Sequence, residues 1–313
     1  MYKIIQPSKI IFGLDSAKNF SYPFKPLIIT SSGAIKREWL DHLDINDFEL
    51  FDSVESNPSM ETVNKIVEKF DPSSFSAIIG IGGGSVLDVA KYVGFKTVKQ
   101  KIMIPTTFGS GSEVTRISVL KINGKKQSFH DDKILADIAI VDSFFIKNTP
   151  LNIIKNSVID ACAQCTEAYD SKNSNEYTKF LCEQAFNILE NGILNDMFEK
   201  FPFGSLIAGL GFGNSSTTLG HALSYIYSNE GYSHGHALAH TTLVAHKFNK
   251  SKFYERFKKI VEKLKFSPIH ISSSLDDASE LILQDRKHLD NNPNLISKNE
   301  IIELLKEINS HNF

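Results

Sequence analysis

Two groups of residues in this 313-residue sequence have the types and spacing to do chemistry. One lies in the second half. Asp160 and Gln164 stand four residues apart, on one face of a helix if the stretch is helical, and His221 and Tyr225 repeat that spacing. His234 follows a break, Asn229-Glu230-Gly231, that could swing it back toward His221. A carboxylate with two imidazoles is a donor set for Zn²⁺ or Fe²⁺ that leaves positions open for a substrate oxygen, which is Lewis-acid chemistry. The same pattern also reads as a surface aspartate beside a histidine-rich stretch, and His234, His236 and His240 form a competing ligand set. Spacing alone leaves these readings open.

The other group lies in the first half. Gly80-Ile81-Gly82-Gly83-Gly84-Ser85 follows an apolar run and leads into Val86-Leu87-Asp88-Val89-Ala90, a helix-like stretch. Consecutive glycines allow backbone N–H groups to approach a phosphate, and a helix N-terminus adds positive potential, so a pyrophosphate is the natural guest. A tight βα turn without a ligand fits equally. The loop lacks the Gly-Lys-Ser/Thr ending of a nucleotide-triphosphatase P-loop. A second loop, Pro105-Thr106-Thr107-Phe108-Gly109-Ser110-Gly111-Ser112-Glu113, offers hydroxyls after another apolar run, although Ser112 or Thr115 could equally cap a helix.

The elements that must position these residues change character near Thr149-Pro150. Before it, short apolar runs (26–30, 77–81, 101–105, 138–142) alternate with amphipathic stretches such as 60–70, the pattern of a parallel sheet with crossover helices. After it, residues 152–170, 174–194, 203–227, 234–248 and 253–264 carry helical periodicity, and Ser297-Lys298-Asn299-Glu300 is a capping box before a last helix. The expected organisation is an α/β domain over 1–150 and an all-α domain over 151–313.

Composition narrows the functions. With 34 Lys+Arg against 36 Asp+Glu, nothing recruits a polyanion, so nucleic acid is not an expected partner. No run reaches the roughly 18 apolar residues of a membrane helix, and no apolar signal run opens the sequence. Cys162, Cys165 and Cys182 cannot pair completely, which fits a reducing, cytoplasmic setting.

Taken in order, Pro7-Ser8-Lys9-Ile10-Ile11-Phe12-Gly13, Gly82 to Asp88, Ile104 to Thr107, Gly111 to Thr115, Asp160 to Tyr169, His221 to Tyr225 and His234-Gly235 resemble the iron-containing (group III) alcohol dehydrogenase superfamily, which also holds the dehydroquinate synthases. The resemblance implies a dinucleotide-binding α/β domain, a helical metal-binding domain, and hydride transfer in the cleft between them. It implies that Gly82, Gly83, Gly84 and Ser85 hold the pyrophosphate of NAD(H) or NADP(H), with Ser31, Asn57, Asp88, Thr106, Thr107, Ser110, Thr115 and Lys126 lining the rest of the coenzyme. Asp160, His221 and His234 would be ligands to a divalent metal, zinc or iron, that polarises the oxygen of a small aldehyde or alcohol. A homodimer is the default assembly.

Three positions depart from the common pattern of that family. Gln164 stands where members often have His, so the fourth ligand is a weak amide oxygen or is absent. Together with Ser224-Tyr225 and Asn291-Asn292-Pro293, it resembles the branch with phosphonoacetaldehyde reductases and an octulosonate 8-dehydrogenase, which implies an anionic substrate. Tyr225 replaces a second His near the nicotinamide and is the candidate proton relay, against a reading in which it only shapes the pocket. Ser31 replaces an acidic residue, which admits NADP(H), with Lys36 or Arg37 near a 2′-phosphate. The connection near Asn195 to Phe201 and the late helices read as shorter than in most members, which would open the cleft or change the oligomer. Two other classes stay in view: a dehydroquinate synthase-type lyase and a catalytically degenerate nucleotide-binding member.

Overall fold

The structure, a computed structural model, describes residues 1–310. The chain divides into two compact units, Ile4–Pro150 and the chain from Leu151 onward with Met1–Lys3.

The first unit runs β1 (Lys9–Phe12), β2 (Leu27–Ile29), α1 (Ser32–Lys36), β3 (Glu49–Phe51), α2 (Met60–Lys69), β4 (Ala77–Gly82), α3 (Gly84–Thr97), β5 (Gln100–Pro105), β6 (Ile117–Ile122), β7 (Lys125–His130) and β8 (Ile138–Val141). Six strands form a parallel sheet in the order β1-β8-β5-β4-β2-β3. This is the parallel α/β architecture the sequence patterning predicts. Central β4 is buried along its whole length, which is why it reads as an unbroken apolar run rather than an alternating one. Val63 and Ile66 of α2 and Val86, Leu87, Ala90 and Val93 of α3 cover it in one core cluster. Strand order reverses between β2 and β4: the chain leaves β2 toward β3, then returns to lay β4, β5 and β8 on the opposite side. Such a switch point opens a crevice at the carboxyl ends of the strands.

The antiparallel β6–β7 hairpin was not among the expected elements. Its signal is the Asn123-Gly124 pair, both at positive φ (50° and 76°), as a two-residue type I′ turn requires.

The second unit is α4 (Leu151–Asp170), α5 (Glu176–Leu194), α6 (Phe201–Phe212), α7 (Leu219–Asn229), α8 (His234–Asn249), α9 (Tyr254–Leu264), α10 (Leu275–Leu283), α11 (Arg286–Asn291) and α12 (Lys298–Ser310). Where periodicity suggests one helix over 203–227, the structure has two. The run Asn214-Ser215-Ser216-Thr217-Thr218 competes for backbone hydrogen bonds. Ser216 adopts φ 66° while its N–H closes on the Phe212 carbonyl at 2.7 Å. At the start of α12, the hydroxyl of Ser297 accepts from the Glu300 N–H, and the Glu300 carboxylate accepts from the Ser297 N–H, completing the expected capping box. Among the described residues no helix is long and apolar enough to cross a membrane, and all three cysteines are buried and unpaired.

Candidate functional site

The metal-type cluster is assembled on α4, α7 and α8. Asp160, Gln164 and Glu167 sit at i, i+4 and i+7 of α4, one stripe of a helix buried over most of its length. Ligand atoms of Asp160, His221 and His234 all lie within 4.8 Å of one another, and this is the one such group among the described residues. His221 Nε2 is 3.8 Å and His234 Nε2 3.9 Å from the same oxygen, Asp160 Oδ1. The competing histidine set does not form: His236 and His240 each direct Nε2 at the Ser267 carbonyl, at 2.6 and 2.9 Å.

Each member is held from behind. The Glu167 carboxylate takes the Nδ1 side of the His221 ring and also accepts from Thr218 Oγ1 at 2.9 Å and from the Gly220 N–H at 2.5 Å. Gly220 is required there, because a Cβ would lie 2.8 Å from that carboxylate and 2.9 Å from Thr242 Cα. Burial opposes a charge on His221, but the carboxylates of Glu167 and Asp160 outweigh it and raise its pKa to about 9. His234 opens α8, which presses on α4 so closely that a Cβ on Gly235 would stand 2.0 Å from the Asn156 carbonyl oxygen. The Asn156 side chain fastens the contact by accepting from Ser233 Oγ and from the His236 N–H.

Gln164 donates its amide to Asp160 Oδ1 at 2.9 Å, while its carbonyl oxygen is buried with no protein partner. An orphaned buried oxygen on a side chain bonded to Asp160 suits a cation. Tyr225 stacks near His234, ring centroids 6.2 Å apart, and its phenol is pushed up by burial and then by Asp285, Asp160 and Glu167.

Glu167, Asp285 and His288 escaped the sequence reading. Glu167 was legible as the third member of an i, i+4, i+7 series. The Asp285/His288 pair was legible only as Asp-x-x-His at a helix start.

In the first unit, the coenzyme-type residues gather around the switch point. Ser31 follows β2 as N-cap of α1 with no side-chain cap bond, Gly82 ends β4 with Gly83–Ser85 after it, and Thr106 follows β5. Thr30 Oγ1 donates to the Ile81 carbonyl and the Thr106 N–H to the Gly82 carbonyl, so the three strand ends are locked together. The glycine loop and the second loop touch: a Cβ on Gly83 would lie 3.0 Å from Thr107 Oγ1, and one on Gly84 would lie 2.8 Å from Ser110 Oγ. Gly83 caps α3, leaving the first-turn N–H groups of Gly84 and Ser85 without intrahelical acceptors, a ready anion cradle.

Four expected coenzyme residues have their own settings. Asp88, expected at the coenzyme, spends both oxygens inside the protein, on Ser112 Oγ at 2.6 Å and on the Val119 N–H at 3.0 Å. It ties α3 to the second loop and β6. Thr115 is buried, and its carbonyl accepts from the buried Lys91 ammonium. Asn57 is exposed at φ 52°, and Lys126 lies on β7 directly opposite Lys121. Lys36 is exposed, while Arg37 bonds the Gly33 carbonyl and lies over the Trp39 ring.

The iron-containing alcohol dehydrogenase model matches residues 7–143, and the model of that family's C-terminal domain matches residues 154–289. A 4-hydroxybutyrate dehydrogenase from Clostridium kluyveri is 35% identical over 209 residues, 58% of this chain and 56% of that protein. A long-chain-alcohol dehydrogenase from Geobacillus thermodenitrificans is 33% identical over 56% of this chain and 52% of its own length. The chain thus spans about half the length of these curated relatives. In fold, it is similar to sulfoacetaldehyde reductase from Bifidobacterium kashiwanohense, solved with NAD⁺, with a TM-score of 0.90 at 21% identity over 99% of both chains. With two matching models in sequence order over most of its length, the chain belongs to the iron-containing alcohol dehydrogenase family.

Proposed function

We propose that this chain is a divalent-metal-dependent, NAD(P)(H)-linked alcohol dehydrogenase or aldehyde reductase for a small anionic substrate. The observation that carries the reading is the convergence of Asp160, His221 and His234, with Glu167 fixing the outward nitrogen of His221. A zinc or iron ion held by these three residues supplies Lewis acidity toward a substrate oxygen, and a nicotinamide coenzyme supplies or accepts the hydride.

The chain's own residues do the rest. Glu167 orients the His221 imidazole and raises its basicity as a ligand. Gln164 holds Asp160 with its amide and keeps its carbonyl oxygen available as a weak fourth donor. Tyr225, kept protonated by its surroundings, hydrogen-bonds a substrate oxygen or shapes the pocket. Gly84 and Ser85 present N–H groups to a pyrophosphate, with Gly82, Gly83, Thr106, Thr107 and Ser110 forming the cradle and Asn57, Thr115 and Lys126 its margins. Ser31 leaves room for the 2′-phosphate of NADP(H) as well as the 2′-hydroxyl of NAD(H). The boundary at residues 150/151 separates the coenzyme-binding part from the metal-binding part.

The anionic substrate class draws on the C. kluyveri relative, whose named substrate is a short alcohol with a terminal carboxylate. The test is NADH and NADPH oxidation by Zn²⁺- or Fe²⁺-loaded protein with acetaldehyde, butanal and succinic semialdehyde. Turnover should favour the carboxylated aldehyde and vanish on chelation. No oxidation of either coenzyme, with no divalent ion retained, would sink the reading.

A further inference from the structure

The second unit contains a histidine that the proposed metal set does not use. His288 is buried in the first turn of α11, and its Nδ1 is 2.7 Å from the carboxylate of Asp285, the N-cap residue. Its ring lies 6.2 Å from that of His221 and 5.8 Å from that of Tyr225, centroid to centroid. The same measure separates His221 from His234 by 5.5 Å and Tyr225 from His234 by 6.2 Å. His221, His234, Tyr225 and His288 therefore form a closed loop of four rings, of which two belong to the metal set.

His288 is rigidly placed. Asn291, one turn on, donates to the carbonyls of Ser215 and Thr217 and accepts from the Asn173 N–H. The Lys172 N–H binds the Asn291 carbonyl. Because a carboxylate only accepts, the ring nitrogen facing Asp285 carries the hydrogen, and Nε2 of the neutral ring is an acceptor. No described residue hydrogen-bonds that Nε2.

We infer that His288 is a substrate-contacting residue whose Nε2 accepts the hydroxyl hydrogen of the alcohol, turning that oxygen's lone pairs toward the Asp160/His221/His234 centre. This rests on the proposed function and adds to it a polar group that Asp285 orients. A hydrogen bond at a buried site of this kind is worth about a tenfold change in affinity or more.

The test uses the full chain loaded with Co²⁺ and titrated with 2,2,2-trifluoroethanol, an alcohol that resists oxidation, while the visible cobalt band is followed. His288→Leu should weaken trifluoroethanol binding at least fivefold without lowering Co²⁺ affinity. His288→Gln, which keeps an acceptor oxygen, should recover most of the loss. In turnover, His288→Leu should lower kcat/KM for 4-hydroxybutyrate and 1-butanol by similar factors, because the contact is with the hydroxyl both share. Unchanged trifluoroethanol binding in His288→Leu overturns the inference, as does loss of Co²⁺, which would make His288 a ligand. Wild-type protein that takes up no Co²⁺ overturns the proposed function itself, and the inference with it.

Discussion

Glu167 and His221, 54 positions apart in sequence, meet through a short contact between the carboxylate and Nδ1, and this turns the opposite nitrogen of the imidazole toward Asp160. The pair sits among elements that each supply part of it: α4 the carboxylate, the 213–218 loop a hydroxyl from Thr218, and α7 the ring and the Gly220 N–H.

Replacing Glu167 with Gln should therefore weaken the centre without touching a ligand. Groups that orient metal-bound imidazoles typically account for about 10- to 100-fold in metal affinity. Competition of the purified variant with a chromogenic zinc chelator should show a loss in that range. Wild-type affinity would mean that the contact only fills space.

Gly235→Ala tests the seating of α8. The added methyl carbon meets a backbone oxygen at 2.0 Å, and neither helix can yield by rotating a side chain. Overpacking typically costs about 1–3 kcal/mol, and a backbone clash belongs at the upper end. A lower Tm with substoichiometric metal is expected, since His234 is the adjacent residue. Full occupancy by atomic absorption would show that α8 can slide without moving its histidine.

Ser31→Asp should sharpen coenzyme choice. A carboxylate at the end of β2 would accept from a ribose 2′-hydroxyl and repel a 2′-phosphate. The KM for NADPH should rise by about tenfold or more, with NADH affected little. An equal change for both coenzymes would place the ribose elsewhere.

His246 predicts an acid limb of stability. It is buried against Thr166 Oγ1 at 2.8 Å, and burial, only partly offset by Glu167, lowers its pKa from 6.5 to about 4. The folded state thus prefers the neutral ring. The associated stabilisation is complete above pH 6.5 and is lost as pH falls toward 4, on the order of 3 kcal/mol at full protonation. In urea titrations across that window, His246→Gln should lose less stability than wild type. Parallel curves would assign the acid limb to other groups.

What sequence could and could not show follows from range. The buried strands 77–82 and 100–105 are legible because central parallel strands are apolar on both faces, and the helices of the second half because their core stripes repeat locally. Spacing alone could pair Asp160 with Gln164, but not choose among His221, His234, His236 and His240. That choice depends on Asn156 holding the start of α8 and on Ser267 capturing two of the candidates. Asp88 shows the opposite limit. The resemblance implies that Asp88 lines the coenzyme, but no local pattern shows that its hydrogen bonds run to Ser112 and Val119, 24 and 31 positions later.

The fastening of Asn291 to the Ser215 and Thr217 carbonyls reaches further than α11. The peptide it clasps is the one that delivers Thr218 and Gly220 to Glu167, so the tail of the helical unit acts as a splint for a centre to which it contributes no ion-binding atom. Removal of the chain from α11 onward would spare Asp160, His221 and His234 and still leave them unbraced. A divalent ion added to such a truncated form should be lost to a chelator dilute enough to spare the full chain.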